Sequence, residues 1–160
     1  MSTAIDGTRA TELNDAVHAW PDAFKPNPKL ARQLERRRDS LEDGIDWAHA
    51  EALAFAGLLT EGVPVRLSGE DSERGTFSQR HAVLHDSETG REWTPLKHLG
   101  EGQAQFQVWN SSLSEAAVLG FEYGYASTAT DSLVLWEAQF GDFANVAQAI
   151  IDQFIVAGRS

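Results

Sequence analysis

The 160-residue sequence contains no cysteine, which excludes disulfide frameworks, thiolate metal centres and cysteine nucleophiles together. Positive charge is also scarce. With 13 Lys and Arg against 24 Asp and Glu, the formal net charge is -11, so the chain lacks the basic surface that nonspecific binding to a phosphate backbone requires. Only Arg32 with Arg36, Arg37 and Arg38 interrupts that acidity. No apolar run approaches the ~20 residues of a membrane span, and Met1 is not followed by the basic and apolar stretches of a secretory signal. Neither nucleic acid nor membrane is expected as a partner. What remains, 42% hydrophobic and 23% charged residues, is the content of one globular domain or a piece of one.

Residues 1–44 are polar, broken by Pro21, Pro26 and Pro28, and show helical spacing over 11–20 and 28–41, so they read as a helical linker. Pro28 suits the first turn of the second helix. The charged run ERRRDSLED on that helix reads as a solvated face and is given no chemistry. From residue 46 the texture changes: DWAHAEALAFAGLLTEG has apolar residues at helical spacing and closes on Gly62, as a buried helix with a glycine cap does. A strand over 63–68 follows. Then come a polar stretch, the apolar patch HAVLH, a turn over 86–91 and residues 93–99, together a hairpin-like excursion. The remainder alternates strand 106–109, helix 113–126, strand 132–138 and helix 143–157. This pattern predicts an α/β domain over 45–160, with a mainly parallel sheet, flanking helices and right-handed crossovers. Gly120 and Gly124, four apart on the helix at 113–126, read as tight packing.

In an open parallel sheet, ligands bind beyond the carboxyl ends of the strands. The three loops expected there are GEDSERGTFSQRH, NSSLSE and QFGDFAN, and they supply Asp71, Arg74, His81, Glu115, Gln139, Phe140, Asp142 and Phe143. Glu115 has two readings. Ser112, Leu113, Ser114 and Glu115 spell an S-x-x-E capping box, in which Ser112 and Glu115 satisfy each other's backbone amides. Alternatively, a carboxylate at a helix start facing two aromatics can hold a flat nitrogen heterocycle, the ring packing on an aromatic face while the carboxylate bonds a ring nitrogen. Phe140 and Phe143 can equally be core residues entering a helix. His81 and His85 stand four apart, but no third ligand has a recognisable spacing, so no metal site is read.

The blocks GEDSERGTF, RHAV, LSEAAVLGFEYGYA and WEAQFGDFANVAQAIIDQF, in this order, resemble one family: the thiamine-diphosphate-dependent decarboxylating component of the 2-oxoglutarate dehydrogenase complex. The likeness runs from about residue 45 to the last, and the upstream FKPNPKLARQLERR resembles the family's linker. The resemblance implies a transketolase-like pyrimidine-binding domain. It makes Glu115 the activating glutamate, whose hydrogen bond to the aminopyrimidine favours the imino tautomer that removes the thiazolium C2 proton. Proton sharing between a carboxylate and a ring nitrogen is easier in an apolar setting. Leu113, Phe140 and Phe143 then surround the pyrimidine, with Phe140 as the stacking partner. His81 falls near the substrate or acyl intermediate, and Ser72 and Arg74 at the substrate end.

The implied reaction is oxidative decarboxylation of 2-oxoglutarate and transfer of the succinyl group to a lipoyl carrier in the tricarboxylic acid cycle, in the cytoplasm or, in a eukaryote, the mitochondrial matrix. The family's Gly-Asp-Gly motif for diphosphate and magnesium has no counterpart here. Both are therefore expected on a domain absent from this chain, contributed by a homodimer partner, with a lipoyl-bearing succinyltransferase as a further partner. The chain is accordingly expected to be a truncated piece of its domain, inactive alone, and self-associating or marginally stable because one sheet edge and one apolar face lack cover. A 2-oxoadipate dehydrogenase component and a non-catalytic interaction module remain the alternative readings.

Overall fold

The computed structural model describes residues 4–139 and 146–158. Along the chain run α1 (Gly7–Val17), α2 (Pro28–Asp39), α3 (Trp47–Thr60), β1 (Val65–Gly69), β2 (Leu84–His85), β3 (Glu92–Trp93), β4 (Phe106–Asn110), α4 (Glu115–Thr128), β5 (Leu133–Glu137) and α5 (Val146–Ile150), the last continuing as a π-helical turn over Ile151–Val156. The three longer strands form a parallel sheet in the order β4-β1-β5. Residues 84–93 form the expected antiparallel excursion, in which Leu84 pairs with Trp93.

Alternation along the strands gives the sheet two unlike faces. Val65 and Leu67 of β1 lie in register with Phe106 and Val108 of β4 and with Leu133 and Leu135 of β5, and these apolar side chains share one face. Phe55, Ala56 and Leu59 of α3 close over that face, and the Phe55 and Phe106 rings stand 6.2 Å apart. Each such buried side chain contributes roughly 1.5–3 kcal/mol relative to exposure. Helix α3 starts sharply because the Asp46 carboxylate accepts the His49 N–H at 2.7 Å. It ends at Gly62, whose φ of +87° admits no ordinary side chain comfortably. The strand predicted over 63–68 begins at Val65 because Pro64 has no N–H for the ladder; its carbonyl instead accepts from Leu133 at 2.9 Å.

Leu13 and Val17 of α1 belong to the same apolar cluster as Leu59 and Val65, so α1 is packed into the core of the sheet layer. Residues 19–27 are fastened as well: Pro26 bridges to Asp86, and the Trp93 indole N–H donates to the Ala19 carbonyl at 2.9 Å. The Asp86 carboxylate accepts backbone N–H groups from Lys25, Glu88 and Thr89, and these donors hold its pKa down to about 2. One expectation for this segment is corrected. The run ERRRDSLED is not a wholly solvated face, because Arg37 is buried and bonds Asp46, the cap residue of α3, and the Gln79 carbonyl.

Candidate functional site

Strands β1, β4 and β5 end in register at Gly69, Asn110 and Glu137, so the loops that follow them leave the sheet along one edge. Gly69 is required where the first loop departs: a Cβ there would lie 2.5 Å from the Glu137 carbonyl oxygen and 2.8 Å from Ser72 Oγ. The loop is tied down on both sides. Asn110 accepts the Glu73 N–H at 3.0 Å and donates to the Glu73 carboxylate at 3.1 Å. Burial, reinforced by Glu92, raises the Glu73 pKa above the usual carboxylate range. On the other side the Arg80 guanidinium donates to Glu51 of α3 at 2.5 Å, to the Ser72 carbonyl at 2.9 Å and to Glu137 at the end of β5. Such a buried, multiply bonded arginine fixes geometry through its planar fork.

Three residues expected at the substrate end share this loop. Ser72 is fully buried, and its hydroxyl has no hydrogen-bond partner among the described residues. Arg74 is exposed, paired with Asp71 and bonded to Ser78 Oγ at 2.9 Å. His81 is half-buried with a left-handed φ of 52°, and its Nε2 lies 2.9 Å from the Ser78 carbonyl. Burial lowers the His81 pKa, and the Arg37 and Arg74 charges act in the same direction. Phe140, Asp142 and Phe143 lie outside the described residues. Among the described residues, no three His, Asp or Glu side chains are grouped to hold a metal ion.

Glu115 is the first residue of α4, two positions after the helix start expected from the sequence. The capping box is not formed. Ser114, not Ser112, occupies the cap position, and its side chain makes no cap bond. The reason is local: Ser111 donates its N–H to the Gly69 carbonyl at 2.7 Å while its hydroxyl accepts the Leu113 N–H at 3.2 Å, which keeps the chain out of the helix until Ser114. The half-buried Glu115 carboxylate is consequently left without a hydrogen-bond partner among the described residues. Leu113, 54% exposed, lines a cavity of about 220 Å³ with Trp109, Val118 and Phe121, over a polar floor of Arg66, Ser68 and Glu122.

Residues 43–160 match the transketolase pyrimidine-binding domain family. The chain belongs to that family. It is 54% identical over its whole length to the 2-oxoglutarate dehydrogenase E1 components of an Exiguobacterium species and of Bacillus subtilis, and 53% identical over 98% of its length to that of Bacillus cereus. It spans 17% of the length of the first two and 16% of the third.

Among the described residues of this pyrimidine-binding domain, the most deeply buried carboxylate is not one that the sequence singled out. Glu122, 3% exposed, takes both Arg66 Nε and Nη2 at 2.8 Å and the Ser68 hydroxyl at 2.8 Å. Arg66 also donates to Gln107 at 2.8 Å, and its guanidinium lies 4.7 Å from the Tyr125 ring centre and 5.3 Å from that of Phe121. Each partner carried a local signal of its position, though nothing in the sequence joined the two. Arg66 occupies the second position of a strand whose odd positions are apolar, and Glu122 follows Glu115 by seven residues, two turns along the same helix face.

Proposed function

We propose that the chain supplies the aminopyrimidine-binding half of a thiamine-diphosphate site in a 2-oxoglutarate dehydrogenase decarboxylating component, with Glu115 bonding a pyrimidine ring nitrogen. One observation carries this reading: Glu115 stands at the start of α4, beside the carboxyl ends of the strands, and its carboxylate bonds none of the described residues, Ser114 having taken the cap position. The positive end of the helix favours an acidic group there. A carboxylate so placed can therefore share a proton with a ring nitrogen without first giving up a bond to any described residue. The residues present fit that half of the cofactor, with Glu115 for the nitrogen and the exposed Leu113 for apolar contact; Phe140 and Phe143 are proposed for the ring faces. When bound, thiamine diphosphate supplies the electron sink for decarboxylating a 2-oxo acid.

His81, with Ser72 and Arg74 on the same loop, is proposed for the substrate end, where burial of the imidazole lowers its pKa. Residues 1–44 serve as the helical lead-in to the domain at 45–160. The diphosphate and magnesium are assigned to a homodimer partner's domain, and the succinyl group to a lipoyl-bearing succinyltransferase, in the cytoplasm of a bacterial cell. This part of the reading is supported by the similarity to proteins named 2-oxoglutarate dehydrogenase E1 component.

The test is Glu115→Gln in a full-length protein containing this segment. With no cap bond to lose, stability should change by no more than about 0.5 kcal/mol. Decarboxylation dependent on thiamine diphosphate should fall by about 10²-fold or more. Near-normal turnover by a folded, cofactor-saturated variant would remove Glu115 from the chemistry.

A further inference from the structure

The N-terminal helices contribute a buried cation to the loop that carries His81. Arg37 sits in the last turn of α2 with its side chain 8% exposed, whereas its neighbours Arg36 and Arg38 are exposed. Its Nη2 donates to Asp46 Oδ2 at 3.1 Å and to the Gln79 carbonyl at 3.0 Å. The other Asp46 oxygen caps α3. One guanidinium therefore joins the end of α2, the start of α3 and the loop.

The carbonyl it grips lies between the two non-glycine residues with left-handed φ among those described, Ser78 and His81, both at 52°. Side-chain-bearing residues hold that conformation only where the surroundings impose it. Here the surroundings are identifiable. The His81 N–H donates to the Arg74 carbonyl at 3.0 Å, the imidazole Nε2 is paired with the Ser78 carbonyl, and Arg80 anchors the adjoining stretch through the Ser72 carbonyl. A cavity of about 30 Å³ lined by α1, α2, α3 and the loop has mostly apolar walls, Leu34, Phe55 and Leu96 among them, with Arg37 and His81 at its polar side, and the buried Arg37 Nε has no partner among the described residues. That volume accommodates one water molecule.

We propose that Arg37 is a positioning residue for His81: by holding the Gln79 carbonyl it keeps the 78–81 turn in its left-handed form, which makes the N-terminal helical segment part of the site. The inference rests on the reading of His81 as a residue of the substrate end. The groups acting on the imidazole are Arg37 from α2 and, from its own loop, Arg74, Asp71 and the Ser78 carbonyl; Arg37 and Arg74 lower its pKa, while Asp71 and the carbonyl raise it.

The experiment uses the full-length protein with Arg37→Ala, and Arg38→Ala as the exposed control. Hydrogen exchange should rise about tenfold or more in peptides covering 70–83 and not in those covering the sheet strands, since the turn would lose its external tie. The acidic limb of the pH–rate profile should move to higher pH, because removing the Arg37 charge raises the His81 pKa. Arg37→Gln, which keeps an N–H donor for the carbonyl, should recover most of the protection but not the original limb; if the alanine variant fails to fold, Arg37→Met, which keeps the apolar stem without a donor, replaces it in the exchange measurement. Unchanged exchange in 70–83, or an unmoved limb, overturns the proposal. Turnover that survives His81→Ala would instead overturn the substrate-end reading, while the exchange data would still decide whether Arg37 holds the loop.

Discussion

The two faces of the parallel sheet are built on different chemistry. On the α3 side Val65, Leu67, Phe106 and Val108 meet Phe55, Ala56 and Leu59, and α1 adds a further apolar layer. On the α4 side the same strands present Arg66 and Ser68, which both bond Glu122, and Gln107, which accepts from Arg66, while Trp109 and Phe121 remain more than half exposed. The first face supplies stability; the second supplies register. Hydrophobic contact is non-directional, but a guanidinium gripping one carboxylate at two points permits only one placement of α4 over β1. Because Glu115 lies two turns before Glu122 on that helix, fixing Glu122 also fixes the residue proposed for the chemistry.

The largest contrast is expected between two phenylalanines. Phe55→Ala, on the covered face, should cost about 3–5 kcal/mol by denaturant unfolding, whereas Phe121→Ala, 56% exposed, should cost less than about 1 kcal/mol. Equal losses would mean that the α4 side is as tightly covered as the α3 side.

Breaking the ion pair comes next. Glu122→Gln leaves Arg66 buried without its charge partner and should destabilise by about 3 kcal/mol, while the double change Arg66→Met with Glu122→Leu should return to near the parent stability. If the register argument holds, that double variant will nevertheless lose turnover in the full-length protein. A fully active double variant would reduce the pair to packing.

The smallest effect concerns acid, and it acts on the α3 side. His18, 7% exposed, has its pKa lowered by burial from 6.5 to about 4, and the buried His49 is lowered for the same first reason, with Arg37 adding to it. A neutral buried imidazole that protonates on unfolding gives stability that is complete above about pH 6.5 and is lost as the pH falls towards about 4, by at most about 3 kcal/mol. Unfolding midpoints measured across that window should fall in the parent chain and fall less in His18→Leu. A flat profile would place His18 outside the buried layer.

Much of this arrangement was legible before any coordinates. Alternating apolar strands and helices gave the sheet class, and the loops carrying Glu115, Ser72, Arg74 and His81 fell on one edge because parallel strands must all end there. The S-x-x-E pattern at 112–115 was misleading for a physical reason: Ser111 was better placed to continue the ladder and to take the Leu113 amide, so the cap moved to Ser114. The run ERRRDSLED misled in the opposite direction. Nothing in three consecutive arginines distinguishes the one that will be buried against Asp46 and the Gln79 carbonyl, since its partners lie on other segments of the chain.

Sequence by itself determined the class of fold, the family likeness and the absence of thiolate chemistry, because these depend on residue type and periodicity. Tertiary structure alone decided that Arg37 is buried, that Arg66 and Glu122 are spent on an ion pair, and that Glu115 has no such partner among the described residues. A charged side chain's role depends on which opposite charge or carbonyl comes within about 3 Å of it, and chains of 42 and 56 residues separate Arg37 from Gln79 and Arg66 from Glu122. No local pattern spans such distances.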